Sequence, residues 1–177
     1  MPSQSLKSRL PLILLTAPLA VVTLAGCAAA SQGATATSAA TSSADCAGVW
    51  VEVDFGVLSD TNLASCVDTS APMKGLDVLA AAGVTLEGTG DYGLDVVCRV
   101  NGLPSADDPL PVAGHEDYRE SCATMTPEFA YWSLWVEDRA TGSWDYAPVG
   151  IGDLSLGPGE SLGLTFTTGT HTDPPTS

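Results

Sequence analysis

Positive charge is the scarcest feature of this chain. Six Lys and Arg stand against 21 Asp and Glu, for a formal net charge of −15. Binding to nucleic-acid phosphates needs a basic footprint, so nucleic acid is excluded as a partner. Histidine is nearly as scarce: His115 and His171 are too few and too separated to build a zinc site. No Cys-x-x-Cys pair is present, which excludes thioredoxin-type redox chemistry. Gly-x-Ser-x-Gly, His-Glu-x-x-His and Gly-rich phosphate-loop patterns are also missing. No catalytic residue is nominated, and the chain is read as a non-enzyme. Aromatic residues make up only 6%, so the places where they gather carry information.

What is present begins at the N-terminus. Lys7 and Arg9 precede an apolar run from Leu10 to Leu24, followed by Leu24-Ala25-Gly26-Cys27. A basic start, a short apolar stretch and small residues before a cut site describe an export signal, residues 1–26. The run falls short of the roughly 20 apolar residues of a spanning helix, and Pro11 and Pro18 weaken it further. Leu-Ala-Gly-Cys resembles the lipobox of bacterial lipoproteins. That resemblance implies a lipid (diacylglycerol and palmitate) on Cys27 and a place on the outer face of the cytoplasmic membrane. The alternative is an ordinary signal peptide cut near Ala28-Ala29-Ala30, with Cys27 lost. Residues 27–45 are low-complexity Ala, Ser, Thr and Gly, a flexible tether. Removing the signal leaves Lys74, Arg99, Arg119 and Arg139 as the only basic residues. Such a domain repels anionic headgroups and stays soluble.

Cys46, Cys66, Cys98 and Cys122 form an even set in an exported chain, so disulfides are expected. Four cysteines allow three connectivities. The favoured one is Cys46–Cys66 with Cys98–Cys122, each closing a loop of about 20 residues and each worth roughly 3 kcal/mol.

The folded part is expected over 46–167, with 168–177 a frayed, disordered tail. Val49, Val51, Val53 and Phe55 alternate with Trp50, Glu52 and Asp54, a period-two strand. A weaker strand follows from Leu63 to Val67. Pro72 then fits a first helical turn and Gly83 the position after a helix end. Between them Met73, Leu76, Leu79 and Ala80 share one face, with Val78 beside it. Next come the glycine-rich turn GTGDYG, a strand from Leu94 to Val100 and a long loop from Leu103 to Pro127. A loop of that length needs a function or a clamp, and Cys98–Cys122 would clamp it. Its acids Asp107, Asp108, Glu116 and Asp117 offer oxygen ligands for calcium but no regular loop spacing, and a solvated acidic loop is the preferred reading.

Three of the four tryptophans fall within Tyr131 to Tyr146, which reads as a β-hairpin turning near Gly142. Alternation sends Trp132, Leu134 and Val136 inward and Tyr131, Ser133 and Trp135 to the other face. Trp135 is then expected to lie exposed near Trp144 or Tyr146, a platform on which a ring stacks. The competing reading is cross-strand packing in a small core. Tyr92 of the glycine-rich turn is a further ligand-binding candidate. A last strand runs from Ser161 to Phe166. One helix against a mostly antiparallel sheet gives a two-layer α+β domain of the β-grasp kind.

Several motifs in order carry a family resemblance. They are Tyr92-Gly93-Leu94-x-Val96-Val97, Val100-Asn101-Gly102, Ala130-Tyr131-Trp132-Ser133-Leu134, Pro148-Val149-Gly150-x-Gly152-Asp153 and Pro158-Gly159-Glu160. Together they resemble the C-terminal β-domain of transcobalamin and intrinsic factor, a module that also occurs alone in bacterial surface proteins. Tyr-Trp-Ser-x-Trp with Gly-Ser-Trp-x-Tyr is similar to an actinobacterial branch. In the cobalamin carriers the module closes over one face of the corrin while a helical domain, absent here, holds the other. The last strand departs, with Gly163-Leu164-Thr165-Phe166 where that branch has Gly-Trp-Arg-Phe. The resemblance implies a non-catalytic module that binds a flat, cobalamin-like ligand as an accessory to uptake. Its partners would be that ligand, a transporter component and the membrane reached through Cys27. The alternative is a surface module that binds a protein or the cell wall and holds no small ligand.

Overall fold

The computed structural model describes residues 42–169 and 172–176. The export signal, Cys27, most of the tether and His171 lie outside the described residues. Among those described, no helix is long and apolar enough to cross a membrane.

The period-two segment forms strand β1 (Val49–Asp54), which turns back into β2 (Leu63–Val67). A two-residue strand, β3 (Met73–Lys74), leads directly into helix α1 (Gly75–Ala81). Then come β4 (Leu86–Thr89), β5 (Gly93–Val100), β6 (Ala130–Asp138) and β7 (Ser143–Tyr146). The chain finishes with β8 (Ser155–Leu156) and β9 (Glu160–Thr168). Five strands make one sheet in the order β2-β1-β9-β6-β7, while β3-β8 and β4-β5 form two small pairs. β1 and β9 run parallel at the centre of the sheet, and every other named pairing is antiparallel. The domain is therefore mixed α/β, mostly antiparallel, with one α-helix among the described residues.

Alternation separates the two faces of the sheet. Val51 and Val53 stand level with Leu162 and Leu164, which in turn oppose Val136 and Leu134. Trp132 packs edge-on against Phe55 and Phe166, with centroids 5.5 and 5.3 Å away. This front face is the core, covered by α1 and by Ile151, Leu154 and Leu156. Burial of this apolar area is the main favourable term in folding.

The helix is shorter and rotated relative to the expectation. Pro72 lies outside it and Met73 belongs to β3. The cause is a close approach at Gly75, where a Cβ would stand 2.6 Å from Ile151 Cδ1. The Gly75 N–H donates to the Leu154 carbonyl at 2.9 Å, which pins the chain there. The inward stripe is Gly75, Val78, Leu79 and the half-buried Ala82, while Ala80 is exposed. Gly83, at φ 77°, ends the helix as expected. Gly83 N–H donates to Ala80 O and Val84 N–H to Leu79 O, the paired bonds of a Schellman motif.

Both favoured disulfides are present, with Cα separations of 5.5 Å for Cys46–Cys66 and 5.6 Å for Cys98–Cys122. The long loop carries no named strand. It is held by the second bridge and by Arg99, whose buried guanidinium donates to the carbonyls of Pro104 (2.8 Å) and Glu120 (2.5 Å) and pairs with Glu87 (2.7 Å). A second clamp, Arg139, donates to the carbonyls of Ser43, Cys46 (2.7 Å) and Gly48. It draws in Ser43–Asp45, a 3-10 turn within the stretch expected to be tether.

Candidate functional site

The back face of the five-stranded sheet gathers most of the aromatic candidates. Trp135 stands level with Tyr146, and Glu137 with Trp144, so these side chains share the face opposite the core. The Trp135 and Tyr146 rings stack with centroids 4.0 Å apart at 21°. Trp50 joins the same face through the register Trp50↔Ser161↔Glu137. Its indole N–H donates to Glu52 Oε1 at 2.6 Å.

Trp135 is not the exposed ring expected from alternation. It is buried at 6%, whereas Tyr146 is 55% exposed. Tyr146 covers one side of it, and Gly163, its cross-strand neighbour on β9, lies under a proline. A Cβ at Gly163 would be 2.7 Å from Pro175 Cγ and 2.8 Å from Trp144 Cζ3. The expected tail thus begins inside β9, and its residues 172–176 return over the back face with Pro175 buried.

A hydroxyl network holds that return. Trp135 Nε1 donates to Ser133 Oγ at 2.9 Å, and the Thr172 hydroxyl donates to the same oxygen at 3.1 Å. The Ser133 hydroxyl in turn donates to the Thr165 carbonyl at 3.1 Å, and Thr167 contacts Thr172. At the rim, burial, the neighbouring Tyr146 phenol and its hydrogen bond push the Tyr131 hydroxyl pKa above the usual range, while Thr172 pulls it back. A cleft of about 450 Å³ continues this face past Trp50, Glu52, Leu63, Ala64 and Pro175.

Tyr92 is not part of this assembly. It is 49% exposed in the turn between β4 and β5, its N–H donating to Thr89 Oγ1 at 3.2 Å. On the front side, a second cleft of about 450 Å³ opens between β5, β6 and the segment 147–151. Val97, Leu134, Ile151 and Leu164, all part of the core or packed on it, line the cleft, and Met125 and Val149, 54% and 45% exposed, border it. Asp95 and Thr126 supply polar groups. Neither Met125 nor Val149 belongs to a periodic segment, so alternation nominates neither. The resemblance did quote Val149.

The other candidates are structural. Cys98, Glu120 and Cys122 converge, and among the described residues no other group of three metal-ligating side chains does. The two sulfurs are bonded to each other, so no thiolate is available. Glu120 instead accepts from Tyr118 Oη (2.8 Å) and from the Cys122 N–H (2.7 Å). Burial, then the hydrogen bond to Glu120, pushes the Tyr118 hydroxyl to about 12. In the acidic loop, Glu116 accepts from the Gly114 N–H at 2.8 Å, the main reason its carboxyl lies below the usual range. Compared with protein-family models, curated proteins and solved structures, the chain finds no match.

Proposed function

We propose that this chain is a non-catalytic, extracytoplasmic binding module that takes a flat, mostly apolar small molecule in the front cleft. A cobalamin-like tetrapyrrole is the leading ligand class, and a supporting role in uptake follows from it. The observation that carries this reading is the pair of large exposed side chains, Met125 and Val149, bordering an apolar-lined cavity. Ligand sites are typically cavities of about 300–1,000 Å³ with few polar groups, and this cleft fits that description. Met supplies an adaptable, polarisable wall. The β-grasp-like reading draws on the sheet order, a hairpin and helix followed by a last strand parallel to the first, while the transcobalamin-like reading rests on the sequence motifs. The two disulfides support export to an oxidising compartment. A lipid on Cys27 belongs to the same proposal; palmitate labelling that survives Cys27→Ala would reject it.

The test is a tryptophan-fluorescence titration of the full chain with cobalamins and other tetrapyrroles. Trp132 lines the cleft and reports occupancy. Saturable quenching is expected, lost in the Met125→Asp/Val149→Asp variant and kept in Tyr146→Ala. Absence of quenching at high micromolar ligand, with both disulfides intact, would reject the cobalamin-like ligand. The rival, a surface module that binds a protein, is favoured by one observation, the proline held on the back face.

A further inference from the structure

The segment 172–176 belongs to no strand, yet it is held on the back face by two side chains three residues apart. Thr172 bonds to Ser133 and Thr167, and Pro175 sits over Gly163 against Trp144. Ser133 stands level with Thr165, so Thr172 sits near the level of residue 166 and Pro175 at that of 163. Three residues of strand span about 10 Å. Three residues of a polyproline II segment span about 9 Å. The spacing of the two anchors on the sheet is therefore that of an extended Thr-x-x-Pro segment running antiparallel to β9.

The floor suits that occupant. Gly163 removes the side chain that would fill the proline's place, and aromatic rings flank it, the surface on which extended proline segments dock. Between the two anchor levels, the Thr165 hydroxyl is buried and makes no hydrogen bond, a group that a peptide polar atom above it would satisfy. The same face carries Glu52, Asp54 and Glu137 by alternation. In the chain's own segment the residues between the anchors include the exposed Asp173, and a basic or neutral residue at that position suits an acidic face better.

We propose that the back face is a recognition site for an extended peptide of a protein partner, with a hydroxyl residue three positions before a proline and no acidic residue between. Residues 172–176 occupy this site in cis. The proposal does not rest on the small-ligand reading of the front cleft.

The experiment uses the full chain with Thr172→Ala and Pro175→Ala together, so that its own segment no longer competes. The probe is a fluorescein-labelled peptide of residues 169–177 carrying Asp173→Lys. A saturable rise in anisotropy is expected. The wild-type chain should bind about ten-fold more weakly or worse, because its site is already filled. Peptides with Pro175→Ala or Thr172→Ala should not bind, and adding Gly163→Val to the acceptor should abolish binding with its circular dichroism unchanged. The proposal is overturned by no saturable binding up to about 1 mM on the disulfide-intact double variant. Equal binding of the Pro175→Ala peptide, or equal affinity for the wild-type chain, overturns it too. A wild-type dimer that Pro175→Ala dissociates would assign the face to a second copy and overturn the partner peptide.

Discussion

The two faces of the central sheet come from the same strands and are buried in different ways. Leu164 and Thr165 are adjacent on β9. One points into the aliphatic front core at 1% exposure, and the other lies under a polar and aromatic back face. The front face loses water because its side chains are apolar and α1 is close by. The back face loses water because hydroxyls, indoles and a returning segment satisfy one another. Burial by packing tolerates small shifts, whereas burial by hydrogen bonding fails when one partner is removed.

The largest expected effect tests the front. Leu164→Ala leaves a cavity between Val53 and Leu134 and should cost about 2–5 kcal/mol, read from chemical denaturation with both disulfides intact. A loss below about 1 kcal/mol, outside that range, would mean that the front face collapses around the gap and is not close-packed.

The back face should respond less and for another reason. Ser133→Ala removes no large volume, but it strands the buried Trp135 indole N–H and takes from the Thr172 hydroxyl one of its two partners. An unmet buried donor costs about 1–3 kcal/mol. Trp135→Phe has no such donor, so the two substitutions should be strongly non-additive in a double-mutant cycle. Additive losses would show that the network is incidental and that both faces are packed alike.

The same contrast explains what was legible in the sequence. Val49, Val51 and Val53 declare the front face by alternation, and the cysteine spacing suggested both bridges. The hairpin from Tyr131 was also readable, including the inward turn of Trp132. β4 is silent in the sequence because Leu86-Glu87-Gly88-Thr89 has no strand signature. A Cβ at Gly88 would stand 2.1 Å from the Gly93 carbonyl oxygen, so backbone crowding decided that residue. β3 and β8 are two residues each, too short for any period to register. Trp135 was expected exposed because alternation assigns a face and says nothing about what later covers it. The cover comes from Thr172 and Pro175 in a stretch of Thr, Asp, Pro and Ser whose composition reads as a tail. Its contacts depend on Gly163, a residue that in sequence only looks like a weak point in a strand.

The smallest expected effect separates the faces by pH. The front core of valines, leucines and Ile151 is apolar, with the Tyr118 phenol packed at its edge, while the back face has Tyr131 at its rim. Burial, then the Tyr146 phenol and its hydrogen bond, raises the Tyr131 pKa, so the folded state favours the neutral hydroxyl more than the unfolded chain does. A raised folded-state value means that the contribution is fully present below the ordinary tyrosine pKa of about 10. It is lost as pH climbs from there through the folded value. Thermal unfolding of the wild-type chain should therefore weaken above about pH 10. Tyr131→Phe should change neutral-pH stability little and remove its own share of that alkaline decline, the raised Tyr118 hydroxyl keeping the rest. Because Tyr131 is partly exposed, solvent screens the effect and the difference should be small. Leu164→Ala should lower the whole profile without changing its alkaline slope. An unaltered slope in Tyr131→Phe would place the alkaline sensitivity elsewhere and leave the back face held by packing and neutral hydrogen bonds alone.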